Sequence, residues 1–348
     1  MLRTYKYIET NHQKIHDNIM AFFDRIEFEK GDFSTDFFDD DFYEQIVKHH
    51  PGILKKPLKL IYNKIKTWEQ PNRSAFIKRI KESNDIAKVC AREIEPLSTE
   101  NIPKEIADIV DIKKFFVDLY EQVLLGDYGI NMCGDLQSHF ELLRKHPNDF
   151  LKCPACGLEN LKTGSECRNQ YDHYFHKTKY ITSSVNFKNL VPICTECNSY
   201  DVKHDRDILS ENGTRKVFYP YDETHKGINI LAQIANDNGD IENIDFNFKY
   251  STVDDRDEEI ESWKTIFKID CRYKGRAKGA GLKWYKHFWA FKNKPKYRAL
   301  PEEEKIETYM DCQDEETIEV IQIPILNAFN NSIITKAEIE AKNYAMLF

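Results

Sequence analysis

Two Cys-x-x-Cys pairs constrain the fold of this chain more than any other feature. Cys153 and Cys156 form the first pair, and Cys194 and Cys197 form the second. Two residues between thiolates are typical of the tight turns that hold a tetrahedral zinc ion. Because four sulfur ligands would fill the coordination sphere, we expect a structural zinc ion with no open position for water.

The segment between the two pairs is long for a simple zinc module. Residues 157–193 separate the pairs, whereas a zinc ribbon has about 15–20 residues at that place. The inserted residues and those just after Cys197 carry groups suited to chemistry: Asp172, His173, Asn189 and Asn198. We therefore expect the metal to brace a small unit in which these side chains act.

Composition indicates a reducing environment and a soluble chain. The nine cysteines are an odd number, and the first 15 residues do not resemble a secretion signal, so a disulfide framework is not expected. No apolar run approaches the ~18 residues of a membrane span. We predict a cytoplasmic protein with no membrane association. The net charge of −8 argues against a nonspecific nucleic-acid coat but not against a local basic surface.

The chain divides into three regions, which together predict an α+β fold. Residues 1–150 are expected to form a helical scaffold, because apolar residues such as Ile112, Phe115, Phe116 and Leu119 recur at helical spacing. Residues 151–222 contain the cysteine pairs and turn residues. Residues 223–348 are expected to be mixed α/β, with a helix or a strand near 228–234, strands near 241–251 and 317–326, and helices at 258–269 and 335–347.

A basic stretch lies within the C-terminal region. Residues 264–298 contain twelve Lys or Arg and the single acid Asp270, interleaved with aromatic residues. Basic side chains neutralise phosphates, and aromatic faces can stack on bases. We expect most of these aromatics to be core residues. The glycines of 275–281 suggest a mobile basic loop, in which Lys274, Arg276 and Lys278 would contact phosphate.

The central segment resembles the HNH endonucleases, whose active site is a β-β-α-metal unit. Members braced by two zinc knuckles share the pattern C-x-x-C … D-H … N-L-x-P-x-C-x-x-C-N, and each element is present here. The most similar subgroup carries D-H-Y-x-x-K and, further along the chain, H-P-Y-F-D. Here residues 172–177 are DHYFHK and residues 218–222 are FYPYD. The resemblance covers about residues 135–225 and leaves both flanking regions unassigned.

This resemblance implies a role for each of the four polar residues. His173 would be the general base at the end of the first strand, and an ordinary histidine pKa suits that task at neutral pH. Asp172 would bind a catalytic Mg²⁺ or Mn²⁺ together with Asn198 at the start of the helix, since hard oxygen ligands suit these ions. Asn189 would be structural and hold the loop that positions His173.

Two departures from the subgroup pattern affect the phosphate contacts. His176 stands where the subgroup usually has proline, and Asp201 stands where it has lysine. If the helix continues, Lys203 or His204 would take over phosphate binding. Lys177 is a further candidate, although surface solvation is the ordinary role of such a side chain.

The sequence thus favours a metal-dependent endonuclease that cuts DNA. Such chains often belong to restriction or anti-phage defence systems, sometimes beside an ATPase partner, and the resemblance implies that context here. Two alternatives stay open. The chain could be a non-catalytic, zinc-stabilised nucleic-acid-binding module, or a nuclease of the same type that acts on RNA.

Overall fold

The computed structural model describes residues 1–145, 147–148, 150–162, 170–204, 206–209, 215–236, 243–332 and 337. These residues form an α+β protein with helices throughout the N-terminal region, as expected. None of the helices in these ranges has both the length and the apolar character needed to cross a membrane. Nearly all of the helix expected at 335–347 lies outside the described residues.

The N-terminal region contains nine helices among the described residues: α1 (Lys14–Ile26), α2 (Asp40–Phe42), α3 (Lys56–Ile65), α4 (Gln70–Glu82), α5 (Ile86–Cys90), α6 (Lys104–Ala107), α7 (Ile112–Asp118), α8 (Asp127–Cys133) and α9 (Leu136–Leu143). Wider helical turns extend several of them, among them Leu119–Leu124 after α7. Aspartates cap four starts, because Asp39, Asp85, Asp111 and Asp135 accept hydrogen bonds from the backbone N–H three residues later.

The central unit is built on a short antiparallel strand pair. Strand β1 (Tyr171–His173) pairs with β2 (Leu190–Pro192), and Asp172 lies opposite Val191. The helix expected after β2 is not formed, since residues 194–204 make a series of turns. Lys203 N–H bonds to Cys197 O at 3.2 Å, and His204 adopts a φ of 35°. This backbone wraps around the cysteine cluster instead of continuing as a helix.

Within its described residues, the C-terminal region combines a second strand pair with four helices: β3 (Asn229–Ile234), β4 (Phe246–Ser251), α10 (Asp257–Ile266), α11 (Ile269–Lys292), α12 (Glu302–Asp311) and α13 (Gln322–Asn331). The strands are antiparallel, with Asn229 opposite Ser251. The strand expected at 317–326 is wrong, because α13 begins within it. This helix buries Ile325, Leu326 and Phe329, which is a helical spacing of apolar residues.

The mobile basic loop expected at 275–281 is also wrong, because these residues lie in the middle of α11. Tyr273, Ala277, Gly281 and Tyr285 are buried at four-residue intervals, so packing of one face holds the helix together. An added Cβ at Gly275 or Gly279 would meet nothing within 4 Å. These two glycines face open space, and their flexibility is overcome by the buried face.

Two hydrophobic cores meet at the central unit. One core joins the N-terminal helices to Tyr171, Phe187 and Leu190 of the central unit. The other joins the four cysteines to the C-terminal helices and to the first residues of the chain. Because the central unit contributes to both cores, its strands and its cysteine cluster are fixed from opposite sides.

Candidate metal centre and catalytic residues

The four cysteines of the two pairs form a buried cluster that could hold a metal ion. The sulfur of Cys153 lies 3.9 Å from that of Cys197, and Cys156 lies 3.9 Å from Cys194. All four sulfurs lie within 4.8 Å of one another. A tetrahedron with metal–sulfur bonds of about 2.3 Å places its sulfurs about 3.8 Å apart. The geometry therefore fits a tetrahedral thiolate site.

The protein environment of the cluster suits bound thiolates. The backbone N–H of Cys194 points at the sulfur of Cys153 (3.3 Å), and that of Cys197 points at the sulfur of Cys194 (3.4 Å). Burial raises the pKa of the Cys153 and Cys197 thiols, while hydrogen bonds from the neighbouring cysteines, Cys153 first, lower the pKa of Cys156. Buried thiolates are costly unless a cation compensates them, so a bound cation would keep these sulfurs ionised.

Arg272 brings a positive charge to this cluster, a contact that the sequence does not predict. Its Nη1 donates to the sulfur of Cys197 at 3.2 Å, and its Nη2 donates to the carboxylate of Glu196 at 2.9 Å. Its side chain is only 9% exposed. The residue was counted among twelve basic residues, and nothing in its sequence position distinguishes it from the other eleven. Outer partners of this kind commonly orient and stabilise metal ligands.

Two aromatic side chains attach the first cysteine pair to the C-terminal helices. Trp263 on α10 donates its indole N–H to Ala155 O at 2.6 Å, and Tyr273 on α11 donates its hydroxyl to Cys156 O at 2.8 Å. Both side chains are almost completely buried. The turn between Cys153 and Cys156 is therefore held by the part of the chain that follows the central unit.

His173 lies at the end of β1 with its ring held in one tautomer. Its Nε2 lies 2.9 Å from the backbone carbonyl oxygen of Ser184. A carbonyl can only accept, so Nε2 carries the proton and Nδ1 keeps a free lone pair. Among the described residues, Nδ1 has no hydrogen-bond partner. The ring of Tyr120 packs edge-on against the imidazole, with centroids 4.5 Å apart.

The surroundings of His173 keep its ring neutral. Burial lowers its pKa to about 3, and the charges of Lys177, Lys203 and His176 act in the same direction. The side chain nevertheless keeps partial solvent exposure. A neutral imidazole with a fixed N–H and an open lone pair can accept a proton from water, but this pKa is well below the ordinary value expected from the sequence, so the ring is a weaker base than a free imidazole.

Asn189 holds together the segment between the two strands of the central unit through its side chain. Its Oδ1 accepts the N–H of Phe175 at 2.7 Å, and its Nδ2 donates to Phe175 O at 3.2 Å and to Ser183 O at 3.3 Å. The side chain is completely buried. Ser183 immediately precedes Ser184, whose carbonyl holds His173. These contacts are the ones that a loop-bracing role requires.

Asp172 points to the other side of β1, where Lys203 meets it. The ammonium nitrogen lies 2.7 Å from Oδ2 and 2.9 Å from Oδ1, and it also donates to the carbonyl of His173 at 3.0 Å. Burial raises the pKa of Asp172, and the charge of Lys203 opposes that shift. Lys203 was expected to bind phosphate, but its side chain has no exposed surface.

This arrangement does not fit a divalent ion bound by Asp172. Mg²⁺ needs six oxygen ligands at about 2.0–2.1 Å and usually keeps several waters, whereas both oxygens of Asp172 are buried against an ammonium group. Asn198, the other expected ligand, is half-buried in the turn after Cys197. Its side chain makes no hydrogen bond to any residue that the structure describes. Of the two expected ligands, the carboxylate of Asp172 is therefore already paired with Lys203, whereas the side chain of Asn198 is not bonded to any described residue.

The other residues expected to contact phosphate are Lys177, His176 and His204, and their surroundings differ. Lys177 forms an ion pair with Glu121 at 2.6 Å, and its ammonium lies 5.2 Å from the centre of the Tyr120 ring. His176 contacts the hydroxyl of Thr178 at 2.9 Å. His204 is exposed, and its charge influences the carboxyl of Asp172. Together these side chains make the surroundings of the site basic.

The basic residues of α11 are divided between internal pairing and solvent. Arg276 forms an ion pair with the buried Glu319, so it is not available for the expected phosphate contact in this structure. Lys274 and Lys278 are exposed one turn apart. Each of these lysines directly precedes a solvent-facing glycine, Gly275 or Gly279. The exposed lysines therefore form a short basic face rather than a loop.

The chain matches none of the protein-family models, curated proteins or solved structures with which it was compared.

Proposed function

We propose that this protein is an endonuclease that hydrolyses phosphodiester bonds in DNA, with His173 as the general base. The observation that carries the proposal is the state of its imidazole. A backbone carbonyl fixes the proton on Nε2, burial keeps the ring neutral, and the free Nδ1 lies among cationic side chains. This supports the role that the resemblance to HNH endonucleases assigns to the residue.

The reaction requires few steps from the chain itself. A water molecule gives one proton to Nδ1 of His173 while its oxygen bonds to phosphorus. The bond from phosphorus to the leaving deoxyribose oxygen then breaks, and that oxygen takes a proton from solvent. Lys177, His176 and His204 would attract the phosphate, since cations near the reacting group stabilise its developing charge.

We further propose that the ion in the four-cysteine cluster is zinc. Its part is structural, because four thiolates leave no position for water or substrate. It would fix the turn after β2 and, through that turn, Asn198, Lys203 and His204. A role in restriction or anti-phage defence beside an ATPase partner rests on the resemblance alone.

The test is a nicking assay on supercoiled plasmid DNA, with a single-stranded RNA of defined sequence digested in parallel. His173→Ala should abolish cleavage while zinc content and the circular dichroism spectrum stay unchanged. His49→Ala, an exposed histidine in the helical region, is the matched control and should cut like the wild type. Cleavage of RNA alone would transfer the proposal to RNA. DNA binding without any cleavage would favour a non-catalytic binding module.

A further inference from the structure

The buried ion pair between Lys203 and Asp172 has the form of an internal cation site. One ammonium group has three oxygen atoms within 3.0 Å, namely both carboxylate oxygens of Asp172 and the carbonyl of His173. The Lys203 side chain is 0% exposed and that of Asp172 is 5% exposed. The ammonium donates hydrogen bonds to Asp172 Oδ1 and to the carbonyl of His173, whereas its contact with Asp172 Oδ2 is an ion-pair contact without hydrogen-bond geometry.

Such burial is informative, because neither charge is stable there alone. An unpaired carboxylate or ammonium in the interior carries a large desolvation penalty, whereas a pair with good geometry offsets it. The Lys203 side chain reaches this position because the backbone after Cys197 turns around the cysteine cluster. The fold thus delivers a fixed positive charge to the strand that carries His173.

We propose that Lys203 permanently occupies the place beside Asp172 that a divalent cation would otherwise take, so that the protein binds no catalytic Mg²⁺ or Mn²⁺ there. This rests on the proposed function for its catalytic meaning. In that frame Lys203 is a positioning residue. It holds the carboxylate of Asp172 and the backbone of His173 together, and the only ion that the site requires is the one in the cysteine cluster.

The test is a direct measurement of Mn²⁺ binding to the zinc-loaded, full-length protein. Titration followed by electron paramagnetic resonance should show no saturable site that depends on Asp172 or Asn198. The wild type is compared with Asp172→Asn and Asn198→Ala, and circular dichroism and zinc content establish that each variant is folded. Asn198→Ala keeps the test decisive if Asp172→Asn does not fold, since its side chain makes no hydrogen bond to the described residues.

A saturable site of micromolar affinity that either variant abolishes would overturn the proposal. The absence of such a site, or a site that both variants retain, supports it. Lys203→Ala offers a second readout, because removal of the ammonium leaves a carboxylate that needs a cation. Mn²⁺ should then raise the melting temperature of this variant but not that of the wild type, and an equal response in both would count against the proposal.

These readouts do not depend on catalysis, so they separate the two proposals. If no nucleic acid is cleaved under any condition, the proposed function fails while the binding measurement still decides the identity of the cation. If the plasmid is cleaved after dialysis against EDTA that leaves zinc in place, both proposals gain support. Cleavage that requires added Mg²⁺ bound through Asp172 would retain the function and refute the internal cation.

Discussion

Loss of one cysteine ligand should unfold the central unit, and Cys194→Ser tests this directly. Cys194 is 2% exposed, and its sulfur lies 3.9 Å from that of Cys156. Two thiolates at that distance repel by about 4 kcal/mol at an effective dielectric constant of about 20. Since Cys194→Ser itself removes one close sulfur pair, loss of the ion leaves the Cys153–Cys197 pair uncompensated, at most about 4 kcal/mol, which is a large part of the total stability of a typical domain.

The expected result is loss of the metal together with a large fall in melting temperature. At about 2–4 °C for each kcal/mol in a large domain, the fall should be roughly 8–16 °C. Zinc content is measured by mass spectrometry and unfolding by circular dichroism. Cys312→Ser removes an exposed cysteine and should retain one zinc ion per chain. A Cys194→Ser protein with wild-type zinc content and melting temperature would refute a structural metal centre.

Three further predictions concern other parts of the molecule. Arg272→Met should speed zinc loss to a competing chelator and weaken zinc affinity about 10–100-fold, and an unchanged release rate would contradict the role of its contact with the Cys197 sulfur. Burial lowers the pKa of His16 and His139 to about 3 from an ordinary 6.5, so the unfolded chain binds more protons than the folded chain between these values. The free energy of unfolding should therefore fall as pH drops from 7 to 5, by about 2 kcal/mol for each histidine. His139→Gln should remove its share of this fall in urea titrations at the two pH values, and an unaltered pH dependence would refute the expectation. Glu121→Gln frees Lys177 from its ion pair and should tighten DNA binding a few-fold at low salt. The melting temperature should change little, because exposed ion pairs contribute about 0–1 kcal/mol. Fluorescence anisotropy measures the affinity for DNA, and weaker binding would contradict the expectation.

The local parts of the fold could be predicted because their signals lie within a few residues. Apolar spacing indicated the N-terminal helices, and the two Cys-x-x-Cys pairs indicated a metal cluster before any coordinates. The order Asp172-His173 on one strand also placed the two side chains on opposite faces, since neighbouring residues in a strand alternate. The nuclease chemistry itself stays a prediction that these positions support.

The sequence misled where tertiary packing outweighed local preference. Glycines at 275 and 279 suggested a loop, but the buried residues on the opposite face of α11 hold a helix across them. The helix expected after β2 does not form, because the backbone there wraps around the cysteine cluster. Local propensity is a weak guide when a neighbouring core can bury one face or bend the chain.

By itself the sequence determined which residues could bind metal and which could accept a proton. Only the tertiary structure decided what surrounds them. Lys203 meets Asp172 across 31 positions, and Arg272 meets Cys197 across 75. A lysine and an arginine in these positions have no local signal, because the reason for their burial is the opposite charge that folding brings beside them.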